Sequence, residues 1–188
     1  MRKIVYYVHV SVDGHIEGPN GEFDWAAMGP ELSDYSDELC ERTDTFLYGR
    51  TVWGVMSSYW PNAESISDHP HDLKFAPIWR ARPKVVVSST LEKVEWDAQL
   101  IRENVAEEIT ALKARPGKDI LLTGGSKLMS SLTGLGLVDE WHIVVHPIVL
   151  GGGQQLFPQP QDRLGLRLAE TRVLDSQAVL LRYEPAVS

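Results

Sequence analysis

Three times along this chain a short, largely apolar run ends in glycine or hydroxyl residues, and a helical pattern comes after it. Thr45-Phe46-Leu47-Tyr48 runs into Gly49-Arg50 ahead of a helix predicted over Thr51–Tyr59. Lys84-Val85-Val86-Val87 ends in Ser88-Ser89-Thr90, and a helix follows over Val105–Ala114, stopped by Pro116-Gly117. Ile120-Leu121-Leu122 ends in Thr123-Gly124-Gly125 ahead of a helix over Ser126–Leu132. Runs that are apolar at successive positions are buried on both faces, as strands of a parallel sheet are. Three such β-to-α units argue for a mainly parallel sheet with helices on its faces.

The two ends of the chain complete the pattern. Lys3–Val12 is rich in β-branched and aromatic residues and ends at Asp13-Gly14, so the opening MRKIVYYVHV reads as a first strand rather than a leader. Leu32, Tyr35 and Leu39 fall near helical spacing over Glu31–Arg42, behind Pro30. Val138–Leu150, Leu164–Leu174 and Gln177–Tyr183 read as strands with no helix between them, and Asp175-Ser176 has hairpin length. The expectation is an α/β fold in three layers: a mostly parallel twisted sheet, antiparallel C-terminal strands and flanking helices. At 188 residues the chain is read as one domain over 1–188.

Composition narrows the function. A net charge of −8 is opposite to what a nucleic-acid or anionic-membrane surface needs, and no stretch approaches the roughly 18 apolar residues of a membrane span. A cytoplasmic protein with a small-molecule ligand is the expectation. The single cysteine, Cys40, excludes a disulfide framework and cysteine-rich metal sites, and reads as a packed residue. Asp68-His69-Pro70-His71-Asp72 has metal-ligand types but no identifiable distant ligand, so no metal is expected. His142 and His146 share one face of their strand with Val144, and His146 could border a pocket. Trp53, Trp60 and Trp79 read as core.

In a parallel sheet, ligands bind outside the carboxyl ends of the strands, where amides at helix starts face the opening. Three loops fall there. Thr123-Gly124-Gly125-Ser126-Lys127 lets backbone approach a pyrophosphate and adds two donors. Gly49-Arg50-Thr51 sets a cation and a hydroxyl at a helix start, and Ser88-Ser89-Thr90 offers three hydroxyls.

These loops, together with Ser11-Val12-Asp13-Gly14-His15-Ile16, Gly136-Leu137-Val138-Asp139-Glu140 and Pro147-Ile148-Val149-Leu150-Gly151-Gly152-Gly153, form an ordered series across nearly the whole chain. The series resembles the dihydrofolate reductase-like superfamily, in the branch of the C-terminal reductase domain of riboflavin biosynthesis proteins. The resemblance implies NADPH lying across the strand ends. It places Gly49, Arg50 and Thr51 at the phosphates, Ser88 and Ser89 at the adenosine 2′-phosphate, and Gly124, Gly125, Ser126, Lys127 and Leu128, with Thr123 leading into them, at the pyrophosphate. His9 and Ile16 would border the nicotinamide, and Trp25 falls in the active-site loop that touches cofactor. Two positions depart from the pattern. Val52 stands where dihydrofolate reductases usually have their threonine, and Thr123 stands where riboflavin-pathway reductases commonly carry a substrate-binding glutamate.

The resemblance implies hydride transfer to a small pterin- or pyrimidine-like heterocycle, with 5-amino-6-(5-phosphoribosylamino)uracil reduction as one case. Dihydrofolate reduction, or nucleotide binding without turnover, are the alternatives. Hydride transfer asks little of side chains beyond position and charge stabilisation, but a C=N acceptor benefits from a proton donor. Asp34, the nearest match to the first-helix acid of dihydrofolate reductases, and Asp13 are the candidate acids, yet no cluster of cations near the first strand suggests a substrate phosphate. The apolar strands Trp141-His142-Ile143-Val144-Val145 and Val179-Leu180-Leu181 suggest a homodimer built on the C-terminal strands.

Overall fold

The computed structural model describes residues 1–158, 163–175 and 177–186. Six strands run parallel in the spatial order β5 (Gln99–Ile101), β4 (Lys84–Val87), β3 (Thr43–Gly49), β6 (Asp119–Thr123), β1 (Ile4–Ser11) and β7 (Glu140–His146). The sheet then turns antiparallel through β10 (Ala178–Pro185), with β9 (Leu166–Leu174) at the edge. A two-stranded ribbon of β2 (His15–Glu17) and β8 (Gln154–Gln155) stands beside it. This is the expected mixed sheet. Helices α1 (Pro30–Arg42), α2 (Arg50–Tyr59) and α4 (Pro70–Ala81) supply Leu32, Leu39, Trp53 and Trp79 to one core layer. α5 (Val105–Ala114) and α6 (Ser126–Gly134) supply Ile109, Leu112, Met129 and Leu132 to the other. Between α2 and α4 lie a 3-10 turn (Trp60–Asn62) and the short helix α3 (Ala63–Ile66).

The structure corrects several expectations. The run from Val138 to Leu150 is a strand only over Glu140–His146; beyond it the chain turns back so that β8 can pair with β2. Within Asp68–Asp72, Pro70-His71-Asp72 opens α4 and Asp68-His69 precedes it. His69 caps the helix by accepting from the His71 amide, and His71 is buried beside the Ser33 hydroxyl at 3.1 Å. Among the described residues no three His, Cys, Asp or Glu side chains gather to hold a metal, and no helix is long and apolar enough to cross a membrane. Trp141, Ile143, Val144 and Leu180 are buried within the chain because β7 and β10 are interior strands, so they are not the exposed apolar strand expected of a dimer interface. Ser176 of the expected hairpin turn lies outside the described residues. Its neighbour Asp175 accepts hydrogen bonds from the amides of Glu31 and Leu32, at 2.9 and 3.2 Å, and so caps α1 from a distant part of the chain.

The amino-terminal edge of the sheet is fixed by one buried carboxylate. Glu140 accepts from both terminal nitrogens of Arg42 at 2.7 Å, from Lys3 Nζ at 2.8 Å and from His142 Nε2 at 2.9 Å, and Arg182 stands 3.6 Å away. Burial alone would raise its pKa, but the hydrogen bonds from His142, Arg42 and Lys3 outweigh burial and hold the carboxyl well below its usual range. His142 donates through Nε2, which leaves Nδ1 to accept from the Tyr35 hydroxyl at 2.5 Å. Glu140 therefore ties together β1, α1, β7 and β10.

Replacing this carboxylate should be costly. Glu140→Ala is expected to lower unfolding free energy by about 2–3 kcal/mol, less than the ~3–5 for a wholly buried pair because its cations keep some solvent contact. Urea denaturation checks this, and an unchanged midpoint would show that the network adds nothing to stability.

Candidate active site

The connections leaving neighbouring strands β3 and β6 go to opposite faces of the sheet, β3 to α2 and β6 to α6, which opens a crevice between their carboxyl ends. Two helix N-termini meet across it, and glycine is what lets them approach. A side chain at Gly125 would place its Cβ 3.1 Å from Val52 of α2, one at Gly124 3.4 Å from the same residue, and one at Gly49 3.4 Å from Leu128 of α6. Gly124 and Gly125 also take φ of +55° and +52°, which L side chains rarely adopt.

A cavity of about 540 Å³ occupies this crevice. Its wall brings together Ile16, Gly49, Arg50, Thr51, Ser88, Ser89, Gly125, Ser126, Lys127 and Leu128 from the sequence reading. Ser126 Oγ is buried there without a hydrogen-bond partner among the described residues. Arg50, Lys127 and Arg102 are exposed at the rim and make no ion pair among the described residues. The donor set, two converging helix starts and three cations, suits a dinucleotide carrying several phosphates. Ser88 has a different part from the one expected. Its Oγ accepts from the amides of Thr90 and Leu91 at 3.2 and 3.1 Å and shapes the turn, leaving Ser89, Thr90 and Arg102 as the outward donors. Arg102 was not found from sequence. Its signal is a cation between a short strand and a helix start, the same placement as Arg50.

Thr123, Gly124, His9 and Trp25 are not in that wall. Thr123 and Gly124 sit one strand away beside Tyr7, whose carbonyl accepts from the Gly124 amide at 3.0 Å. His9 and Trp25 belong to an adjoining cluster at the end of β1. His9 Nδ1 and His146 Nε2 share a hydrogen bond of 2.8 Å, Trp25 stands edge-on to His146 at 5.7 Å, and Tyr7 stands edge-on to His9 at 5.1 Å. Burial, then the neighbouring His146, hold His9 well below the ordinary imidazole range, and burial also lowers His146.

Neither expected acid is placed as a proton donor. Asp34 is exposed on α1 and takes no part in the cavity or the cluster. Asp13 is a correction with a clear cause: its carboxylate accepts from Ser11 Oγ at 2.6 Å and from the amides of Leu150 and Gly151 at 3.0 and 2.8 Å. The Ser11 hydroxyl and then the Leu150 amide hold it ionised far below the usual carboxylate range, so it clips the 147–153 loop to the β1–β2 turn.

The family described as the RibD C-terminal domain matches residues 2–180. The chain is 37% identical over 182 residues to the uncharacterised Bacillus subtilis (strain 168) protein YyaP, covering 97% of this chain and 94% of that one. A putative riboflavin biosynthesis protein from Shewanella sp. PV-4 superposes with a TM-score of 0.78 at 24% identity, covering 98% and 99% of the two chains. A diaminohydroxyphosphoribosylaminopyrimidine deaminase/5-amino-6-(5-phosphoribosylamino)uracil reductase from Thermotoga maritima gives 0.69 at 15%, covering 98% of this chain and 57% of the other. Dihydrofolate reductase from Enterococcus faecalis, complexed with NADP(H), gives 0.62 at 15%, covering 98% and 97%. The fold is that of the dihydrofolate reductases.

The Asp13 clip has a pH signature. Its depressed folded pKa contributes stability that is full above the unfolded carboxylate value, roughly pH 4, and is lost as pH falls below it. Asp13→Asn should therefore melt below the parent protein at pH 7, with the gap narrowing on acidification in a thermal-shift series. A gap that stays constant with pH would mean that the carboxylate's charge does not hold the loop.

Proposed function

The chain belongs to the RibD C-terminal domain family, and from that premise we propose that it is an NADPH-dependent reductase of a small pterin- or pyrimidine-like heterocycle. The observation that carries this is the crevice where two helix N-termini, Arg50, Lys127 and the unpartnered Ser126 hydroxyl converge on one cavity. When bound, NADPH supplies the hydride. Arg50, Lys127, Ser126 and the amides opening α6 hold the pyrophosphate, and Ser89, Thr90 and Arg102 hold the 2′-phosphate. Ile16 is the apolar wall on the side of β1, where the nicotinamide has to reach the acceptor. The Thermotoga and Enterococcus proteins support this reading as fold relatives whose descriptions name a reductase and NADP(H). A cytoplasmic location belongs to the same proposal.

The second part of the proposal is a homodimer through the antiparallel end of the sheet. With β7 covered, the apolar face that remains is on β10 and β9. Val173, opposite Val179, is 65% exposed, Leu168, opposite Tyr183, is 50% exposed, and Leu181 on the same face is half-buried. A two-fold contact lets one such patch cover its own copy.

NADPH should bind at least tenfold tighter than NADH, about 1.4 kcal/mol. Arg50→Ala should weaken NADPH by about 1.5–3 kcal/mol with circular dichroism unchanged, and Arg50→Lys should recover only part of this. Equal affinities for the two cofactors would remove the 2′-phosphate assignment. Tight binding with no turnover of any heterocycle would favour a nucleotide-binding protein that keeps the fold. Light scattering should give twice the 21.1 kDa chain mass, and Val173→Asp should return the monomer. A monomeric parent protein at micromolar concentration ends the dimer proposal.

A further inference from the structure

The end of β1 differs in character from the cofactor cavity beside it. The three cations of the cavity, Arg50, Arg102 and Lys127, all lie on the cofactor side, whereas His9, His146, Trp25, Phe23 and Tyr7 form an uncharged cluster. The two regions adjoin through backbone: Gly124 donates to the Tyr7 carbonyl, and the next residue, Gly125, lines the cavity. We propose that this cluster is the substrate site of the reductase and that its occupant is an uncharged planar heterocycle with an amide-like N–H and C=O edge and no phosphate group. The inference rests on the reductase reading and deepens it.

Three observations point the same way. A neutral pair of imidazoles joined by one hydrogen bond has spent one proton and one lone pair on that bond. Whichever nitrogen carries the shared proton, the two outer nitrogens are then one donor and one acceptor, the complement of a lactam edge. The Tyr7 ring stands edge-on to His9, and its hydroxyl is buried without a partner among the described residues, so a ring carbonyl or nitrogen that reached it would satisfy it. Finally, the cluster itself holds no cation among the described residues: of the cations of this face, Arg172 is paired with Glu38 and Glu170, Lys74 with Asp37 and Arg42 with Glu140 and Asp119, while the unpaired Arg50 that opens α2 lines the cofactor cavity. A phosphate seated in the cluster would lose water and find no cation there among the described residues to replace it. Aromatic edges suit a flat ring instead.

The test is a calorimetric titration of the full chain loaded with NADP⁺, which cannot reduce the probe, using three probes: 5-amino-6-ribosylaminouracil, its 5′-phosphate, and a pterin. The riboside or the pterin should bind at least as tightly as the phosphate, and His9→Gln and His146→Gln should each weaken ring binding tenfold or more while leaving NADPH affinity unchanged. Having both variants keeps the test open if one fails to fold. A tenfold preference for the phosphate, binding of none of the three probes, or indifference to both substitutions overturns the inference. Titration of NADPH alone separates this from the parent reading. If NADPH itself does not bind, the reductase reading fails, and ring binding to the unloaded chain still reports on the cluster.

Discussion

The Glu140 carboxylate sits where β1, β7, β10 and the end of α1 come together, and a bare charge there would be intolerable. Lys3, Arg42 and His142 make it tolerable by hydrogen bonding, and Arg182 adds its charge. Because Glu140 opens β7 and Lys3 precedes β1, this anchor lies at the amino-terminal edge of the parallel strands. The opposite edge carries the cavity and the imidazole pair. The polar bonds that hold the sheet and the groups proposed to meet ligands are therefore at opposite ends of the same strands. A substitution at the carboxyl ends need not disturb the anchor.

At the carboxyl edge the governing constraint is steric. Two helices on opposite faces point their first turns at one another only because Gly49, Gly124 and Gly125 have no side chains where Leu128 and Val52 pass. Their free amides, with the rim cations, make a region of positive potential in a chain whose net charge is −8. Next to it, two imidazoles kept neutral by burial and a set of aromatic rings make a region with no net charge. Two adjoining regions at the same end of the sheet thus differ in charge.

Much of this could be read from the chain itself. The strands β3, β4 and β6 and the helices after them show in sequence because each is an uninterrupted apolar run closed by glycine or serine, and the same turns place nine of the fourteen residues expected at the cofactor in the cavity wall, with Ile16 of β2 a tenth. What escaped was either too short or too distant. The three-residue strands β2 and β5 are below the length at which alternation is visible, and α4 carries Pro70 and Pro77, which break its pattern. The Asp13-Gly14 pair reads correctly as a turn, but the amides that claim its carboxylate belong to Leu150 and Gly151, far along the chain. The same separation hides the bond between His9 and His146. Trp141–Val145 misled because a continuous apolar run looks alike whether its cover is a second copy or the chain's own β1 and β10.

The position of β1 also bears on how such a chain folds. The first strand of this sequence is a central strand of the finished sheet, flanked by β6 and β7, and its partners, Ile120 for Ile4 and Glu140 for Val5, lie more than a hundred residues later in the chain. Until those pair, Ile4, Val5, Tyr6 and Val8 have no sheet neighbours. Contacts of such high order close slowly, and the waiting strand presents two unpaired edges to anything nearby. Closing the centre of this sheet therefore waits on its most distant pairings, well before any ligand is met.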